Sequence, residues 1–142
     1  MKSSPRRRAR EFAVQGLYQS QLNRIPAAEI ARDIRESRHF AYADEELFGR
    51  IFNGAQANET EYAAIIRPLL DRDEKHVHPI ERAVLLMAVY ELKEMPETPY
   101  PVIINEAIEI TKTFGGTDGH KFVNGILDKL AAQLRPNDPK RS

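Results

Sequence analysis

The stretch Ala83-Val84-Leu85-Leu86-Met87-Ala88-Val89 places seven apolar residues in succession inside a segment that runs from Ile80 to about Lys93. A helix that is apolar on nearly all sides is normally buried on most of them. Pro79 precedes the segment, and proline is favoured in the first turn of a helix because its missing N–H would have no partner there. The sequence therefore predicts a helix here that other helices cover on most sides.

Helical spacing of apolar residues continues on both sides of this segment. One expected helix runs from Pro5 to about Asn23, and a second begins at Pro26. A third segment begins at Asp44, has a break near Asn58, and is kinked or ended by Pro68. Another helix runs from Pro101 to about Thr113, before Gly115-Gly116, and the last one follows Asp118, which is expected to cap it. We see no strand alternation, repeat or linker. The prediction is an all-α fold of six to seven helices in a single domain, residues 1–136, with a flexible tail, 137–142. A division into two subdomains near His76 remains an alternative.

The composition limits the classes of function that the chain can serve. The 142 residues include 21 basic and 21 acidic side chains, for a formal net charge of zero, and no cysteine. Disulfides, thiolate nucleophiles and cysteine-ligated zinc are therefore excluded. No signal peptide or spanning segment is evident. We expect a cytoplasmic protein that needs no metal or cofactor, and no nucleophile-and-base pattern points to an enzyme.

The first expected helix carries an arginine set, Arg6, Arg7, Arg8 and Arg10, with no acidic residue among residues 1–10. Positive charge in the first turn opposes the helix dipole, so an external anion would relieve it. Tyr18 lies on the same helical ladder as Arg7 and could stack a base while arginines hold phosphates. The alternative is a solvated basic turn with a tyrosine packed at the boundary of the core.

A second group of residues, between Phe114 and Phe122, combines glycines, Asp118, Lys121 and two phenylalanines at the start of a helix. Free N–H groups at a helix start can bind an anion. The segment lacks the ending of a phosphate-binding P-loop, and Asp118 would itself cap the helix. On residue pattern alone, a capped turn between helices is therefore the stronger interpretation.

Two other groups of polar residues are interpreted as surface features. His76 and His78 have no matching carboxylates or cysteines, so they do not predict a metal site. Glu106 and Glu109 share a helix face, where solvation is the simplest interpretation.

Several motifs together resemble the NusB family of bacterial antitermination factors. They occur in the same order along nearly the whole chain, although residues 25–70 match mainly in helical pattern. The matching segments are Arg6-Arg7-Arg8-Ala9-Arg10-Glu11, Ala13-Val14-Gln15 with Leu17-Tyr18, Glu81 to Leu92, Pro99-Tyr100, Ile104-Asn105-Glu106-Ala107-Ile108-Glu109, and Phe114 to Gly125.

The resemblance implies two packed helical bundles, binding to the boxA element of ribosomal RNA transcripts, and a heterodimer with NusE, a small-subunit ribosomal protein. It also implies loading onto elongating RNA polymerase with NusA and NusG. Carried over by position, the RNA side comprises Arg6, Arg7, Arg8, Arg10, Gln15, Tyr18, Phe114, Asp118, Lys121 and Phe122. The NusE side comprises Glu81, Val84, Tyr90, Glu106 and Glu109. The alternatives are a homodimeric interaction module and a stand-alone relative of the RNA-binding region of ribosomal RNA cytosine methyltransferases.

Overall fold

The computed structural model describes residues 3–114 and 118–138, and within these ranges all regular structure is helical. The seven α-helices are α1 (Pro5–Leu22), α2 (Ala27–Arg35), α3 (Glu45–Ala57), α4 (Glu59–Ile66), α5 (Pro79–Glu94), α6 (Tyr100–Phe114) and α7 (Gly119–Leu134). Three short 3-10 helices lie at Phe40–Tyr42, Arg67–Leu69 and Glu74–His76. The predicted all-α class is confirmed, and each expected helix is present.

Local chemistry explains where several helices begin. The first N–H groups of a helix have no partner within it, and a preceding polar side chain can accept from them. Ser4 Oγ accepts from Arg7 N at 3.1 Å, Asp44 Oδ1 from Leu47 N at 3.0 Å, and His78 Nδ1 from Ile80 N at 3.1 Å. Asp118 occupies the predicted N-cap position of α7, but its side chain makes no capping hydrogen bond.

Both interruptions predicted in this part of the chain are present: the break near Asn58 lies between α3 and α4, and Pro68 lies just after the end of α4. Asn58 separates the two helices, and its Nδ2 donates to Gly54 O at 2.8 Å. Helix α4 ends at Ile66, and Pro68 lies in the 3-10 turn that follows. Proline cannot donate a backbone hydrogen bond and clashes with the preceding turn, which accounts for the end of the helix.

Helix α5 lies at the centre of the molecule, and Ala83 to Val89 are all buried, as predicted. It packs against α1, α3 and α4 on one side and against α6 and α7 on the other. Helices α1 and α3 can approach closely because residue 16 is glycine, since a Cβ at this position would stand 2.7 Å from the Phe52 ring. The two groups of helices therefore share α5 and enclose a continuous apolar core.

The directions of three helices determine which side chains can meet. Arg10 pairs with Glu91, and Gln21 Nε2 donates to Pro79 O at 2.8 Å, so α1 and α5 are antiparallel. Helix α6 also returns antiparallel to α5, because its Thr111 lies near Gly119 and Gly119 lies near Glu81 at the start of α5. Helices α1 and α6 consequently run side by side in the same direction.

Part of the predicted tail and the predicted stop at Gly115-Gly116 lie outside the described residues. Within the described part, Asp138 Oδ2 accepts from Arg135 Nη1 at 2.9 Å. None of the described helices combines the length and apolarity that crossing a membrane would require.

Candidate nucleic-acid interface

The four side chains of the arginine set have different partners around α1. Successive helical positions are rotated by about 100°, so residues 6, 7 and 8 face different directions. Arg6 lies 3.7 Å from Asp44 before α3, and Arg7 pairs with Glu106 of α6. Arg8 lies against Tyr42 in the 3-10 turn after α2, and Arg10 pairs with Glu91 of α5. The sequence cluster is therefore not one basic patch.

Arg10 must be removed from the predicted RNA-binding residues. Its side chain is 3% exposed, and its guanidinium donates to both carboxylate oxygens of Glu91 at 2.8 to 3.1 Å. Burial raises the pKa of Glu91, and the hydrogen bonds from Arg10 act in the opposite direction. The pair joins α1 to α5 inside the core, where an RNA phosphate cannot reach it.

Arg7 and Glu106 were predicted to serve different partners, and the structure pairs them with each other. Arg7 Nε and Nη2 donate to the two Glu106 oxygens at 3.0 and 2.6 Å. The Glu106 side chain is 14% exposed and also lies 3.6 Å from Arg10. The hydrogen bonds from Arg7 lower the pKa of Glu106. Glu106 is therefore not the solvated acid that the sequence predicts, and its contact with NusE stays a prediction.

Gln15 and Tyr18 lie further along α1, and both are half-buried. Tyr18 packs its ring against the apolar core, so only part of the ring is available to a ligand. Both the boundary-packing interpretation and the stacking interpretation are compatible with this position.

The second group of residues, which we call the α7 entry, comprises Phe114, Asp118, Lys121 and Phe122. Phe114 ends α6 and is half-buried. Lys121 Nζ lies 3.4 Å from Asp118 Oδ1, and both side chains are more than 70% exposed. The guanidinium carbon of Arg72 lies 4.2 Å from the centroid of the half-buried Phe122 ring. This end of the molecule therefore offers an exposed cation beside an aromatic ring that already stacks with a cation.

The relative position of the two groups follows from the parallel course of α1 and α6. Arg7 and Glu106 are in contact, Phe114 lies eight residues beyond Glu106, and Tyr18 lies eleven residues beyond Arg7. At 1.5 Å per residue these are about 12 and 16 Å along neighbouring axes in the same direction. Tyr18 is therefore nearly level with the α7 entry, whereas the arginines lie at the far end of α1.

The residues predicted to bind NusE also lie in different environments. Val84 is fully buried in the core, so its prediction as a partner contact is wrong. Tyr90 is half-buried and its ring covers Gly54, where a Cβ would collide with it. Glu109 lies 3.2 Å from Lys112, and Glu81 borders Gly119 at the α7 entry. Glu81, Tyr90 and Glu109 are half-buried at the surface, and their contact with a partner stays a prediction.

Four residues beside the predicted RNA-binding side chains are absent from the sequence prediction. Arg72 stacks on Phe122, and Arg38, His39 and Tyr42 surround Arg8. The segment from His39 to Ala43 lies between two expected helices, and its histidine and two aromatic residues are a signal that the sequence offers. No sequence pattern indicates a role for Arg72, because its contact with Phe122 depends on how the loop before α5 folds back onto α7.

The chain is similar in sequence and in fold to known proteins. The model described as "NusB family" matches residues 7–132. The chain is 72% identical over 136 residues, 96% of both chains, to "Transcription antitermination protein NusB" of Neisseria meningitidis serogroup B. It is 60% identical to the protein of the same name from Chromobacterium violaceum, over 94% of this chain and 90% of the relative. The solved structure of T. maritima NusB superposes with a TM-score of 0.81 at 32% identity, covering 94% of each chain.

Proposed function

This chain belongs to the NusB family, and we propose that it acts in transcription antitermination by binding boxA RNA of ribosomal RNA transcripts together with NusE. The observation that carries the proposal is the 72% identity to an antitermination protein over 96% of both chains. Its role is that of a bacterial antitermination factor, not of an enzyme. We further propose that it joins the elongating RNA polymerase with NusA and NusG in the cytoplasm.

The proposed RNA surface runs from Tyr18 across to the α7 entry. Unpaired RNA bases are commonly stacked on aromatic side chains, and Phe122 and Tyr18 supply partly accessible rings. Lys121 is 73% exposed and supplies a phosphate contact whose contribution falls with salt. Arg6 and Arg8 extend the positive charge along α1, while Arg7 contributes only the part of its guanidinium that Glu106 leaves free.

The proposed NusE surface uses Glu81, Tyr90 and Glu109. Carboxylates suit a basic ribosomal protein, because complementary charge speeds association and fixes orientation. Glu81 borders the α7 entry, so the RNA and protein surfaces would adjoin there.

Fluorescence anisotropy with a labelled boxA-type RNA tests this function. A scrambled RNA of equal length serves as the control, and both are titrated with and without purified NusE across a salt series. We expect boxA to bind at least tenfold more tightly than the scrambled RNA, a difference of about 1.4 kcal/mol, and NusE to tighten it further. Equal, weak binding of both RNAs with no effect of NusE would contradict the proposal.

The two alternatives make different predictions in the same experiments. A homodimeric interaction module would elute as a dimer in size-exclusion chromatography with light scattering and would show no boxA preference. A relative of the methyltransferase RNA-binding region would bind ribosomal RNA without any response to NusE. Neither has an observation in its favour comparable to the identity with antitermination proteins.

A further inference from the structure

A cleft lies between the N-terminus of α1 and the turn that follows α2. Ser3, Pro5, Arg8, Arg38, His39 and Tyr42 line it, and its volume is about 590 Å³. We call it the loop cleft. Apart from Arg8, none of these residues belongs to the RNA surface expected from the family resemblance.

The positive charge of the loop cleft is only partly offset, because Glu11, one turn along α1, attracts Arg8 without forming an ion pair with it. Arg6, Arg7 and Arg10 each lie within 4 Å of a carboxylate, whereas no side-chain carboxylate of residues 3–114 or 118–138 lies that close to Arg8 or Arg38. Arg8 Nε donates only to the backbone oxygen of Ser3, at 3.2 Å. Two arginines with no carboxylate within 4 Å, beside a concave surface, attract an anion.

An exposed aromatic ring accompanies these arginines. Tyr42 is 62% exposed, the Arg8 guanidinium carbon lies 5.6 Å from its ring centroid, and the His39 ring centroid lies 6.5 Å away. The turn is held in place by Phe40, whose buried ring packs against Phe12 and Phe48 at 5.3 and 5.2 Å. Tyr42 is therefore a solvent-facing ring on an anchored turn, a geometry suited to stacking a base.

We propose that the loop cleft binds a nucleotide of single-stranded RNA outside the core boxA contact, with Arg8 and Arg38 on phosphates and Tyr42 against the base. This inference rests on the proposed RNA-binding function. Arg8 precedes Tyr18 by ten residues, about 15 Å along α1. An RNA that covers only Tyr18 and the α7 entry does not reach the cleft, and a strand extended at one end does.

The test compares three RNAs by anisotropy: a core boxA RNA and two versions lengthened by several nucleotides, at the 5′ or the 3′ end. For the wild-type protein with NusE, we expect extension at one end to tighten binding about fivefold, the low end of what a stacked base contributes. Arg38→Ala and Tyr42→Ala should abolish this gain and leave core binding unchanged. Arg24→Ala, an exposed arginine at the other end of α2, removes the same charge and should retain the gain.

Photo-crosslinking provides an independent readout. A 4-thiouridine in the extension should crosslink to the peptide containing residues 38–42, and thermal melting should show that all variants are folded. The proposal is overturned if neither extension tightens binding, or if Arg38→Ala and Tyr42→Ala bind the extended RNA as the wild type does. Loss of NusE binding in these variants with intact RNA affinity would instead assign the cleft to a protein partner. Failure of the core RNA to exceed its scrambled control would reject the proposed function itself, and is measured separately.

Discussion

Arg10 and Glu91 form a bidentate ion pair that is almost completely enclosed, with 3% and 1% of their side chains exposed. An arginine chosen from sequence as an RNA ligand is thus the link between the first helix and the central one. Removing one partner of such a pair leaves an uncompensated charge in the core.

We expect Glu91→Ala to lower the free energy of unfolding by about 3 to 5 kcal/mol, because buried Arg10 would lose its bidentate partner and keep only Glu106, at 3.6 Å. Urea denaturation measures this directly. Arg6→Ala, which breaks a 3.7 Å pair with half the arginine exposed, is the matched control and should cost less than about 1 kcal/mol. Equal effects of the two variants would show that burial does not increase the contribution of the Arg10–Glu91 pair to the free energy of unfolding.

The pair between Arg7 and Glu106 predicts a pH-dependent stability. The pKa of Glu106 is lower in the folded state, chiefly because Arg7 donates hydrogen bonds to it. Its contribution is therefore present above the unfolded-state value and is lost as pH falls through the folded value. Arg7→Gln should lower stability by about 1 kcal/mol at neutral pH, and the difference from wild type should shrink below about pH 4. The exposed pair of Arg50 and Glu97 is the control, and Arg50→Gln should have little effect at any pH.

Asp118→Asn should strengthen RNA binding. The carboxylate of Asp118 makes no capping bond, lies 3.4 Å from Lys121 and would repel a nearby phosphate. We expect a gain of about two- to fivefold, within the range of an exposed charge pair, and a steeper dependence of affinity on salt. Asp33→Asn alters a similarly exposed pair, with Arg32, and should leave affinity unchanged. An unchanged or weaker affinity of Asp118→Asn in a salt-matched titration would reject this role.

Lys121 and Phe122 should differ in the kind of affinity they contribute. Lys121→Ala should weaken boxA and scrambled RNA alike and reduce the salt slope by about 0.7, the value for one phosphate contact on a single strand. Phe122→Ala should weaken boxA by about 1 to 3 kcal/mol, as expected for a stacked base, with the salt slope retained. Identical salt slopes for wild type and Lys121→Ala would remove the lysine from the phosphate contacts.

Two glycines in helix interiors should respond to alanine in opposite directions. A Cβ at Gly16 would stand 2.7 Å from the Phe52 ring inside the core, so Gly16→Ala should destabilise by about 1 to 3 kcal/mol through overpacking. Gly125 has nothing within 4 Å of the same position, and Gly125→Ala should stabilise by about 0.5 to 1 kcal/mol. Chemical denaturation of both variants checks the pair, and a stabilised Gly16→Ala protein would mean that α1 and α3 can separate at little cost.

The helices and their order were determined by the sequence itself, because the information is local. Apolar spacing gave the helical period, Pro5 and Pro79 marked helix starts, and Ser4 and Asp44 provided caps within three residues of the bonds they make. The unbroken apolar run at Ala83 to Val89 also sufficed to predict a buried helix. Interactions between neighbours in the chain can be predicted from the residues alone.

Only the tertiary structure decided which charged residues are available to a ligand. Arg8 is half-buried beside a surface turn and Arg10 is enclosed, although they lie two residues apart, because packing turned one toward Tyr42 and the other toward α5. Their partners Tyr42 and Glu91 lie 34 and 81 residues away in the chain. An arginine in isolation is compatible with either outcome, and the difference in function between them arises from burial, which long-range packing alone fixes.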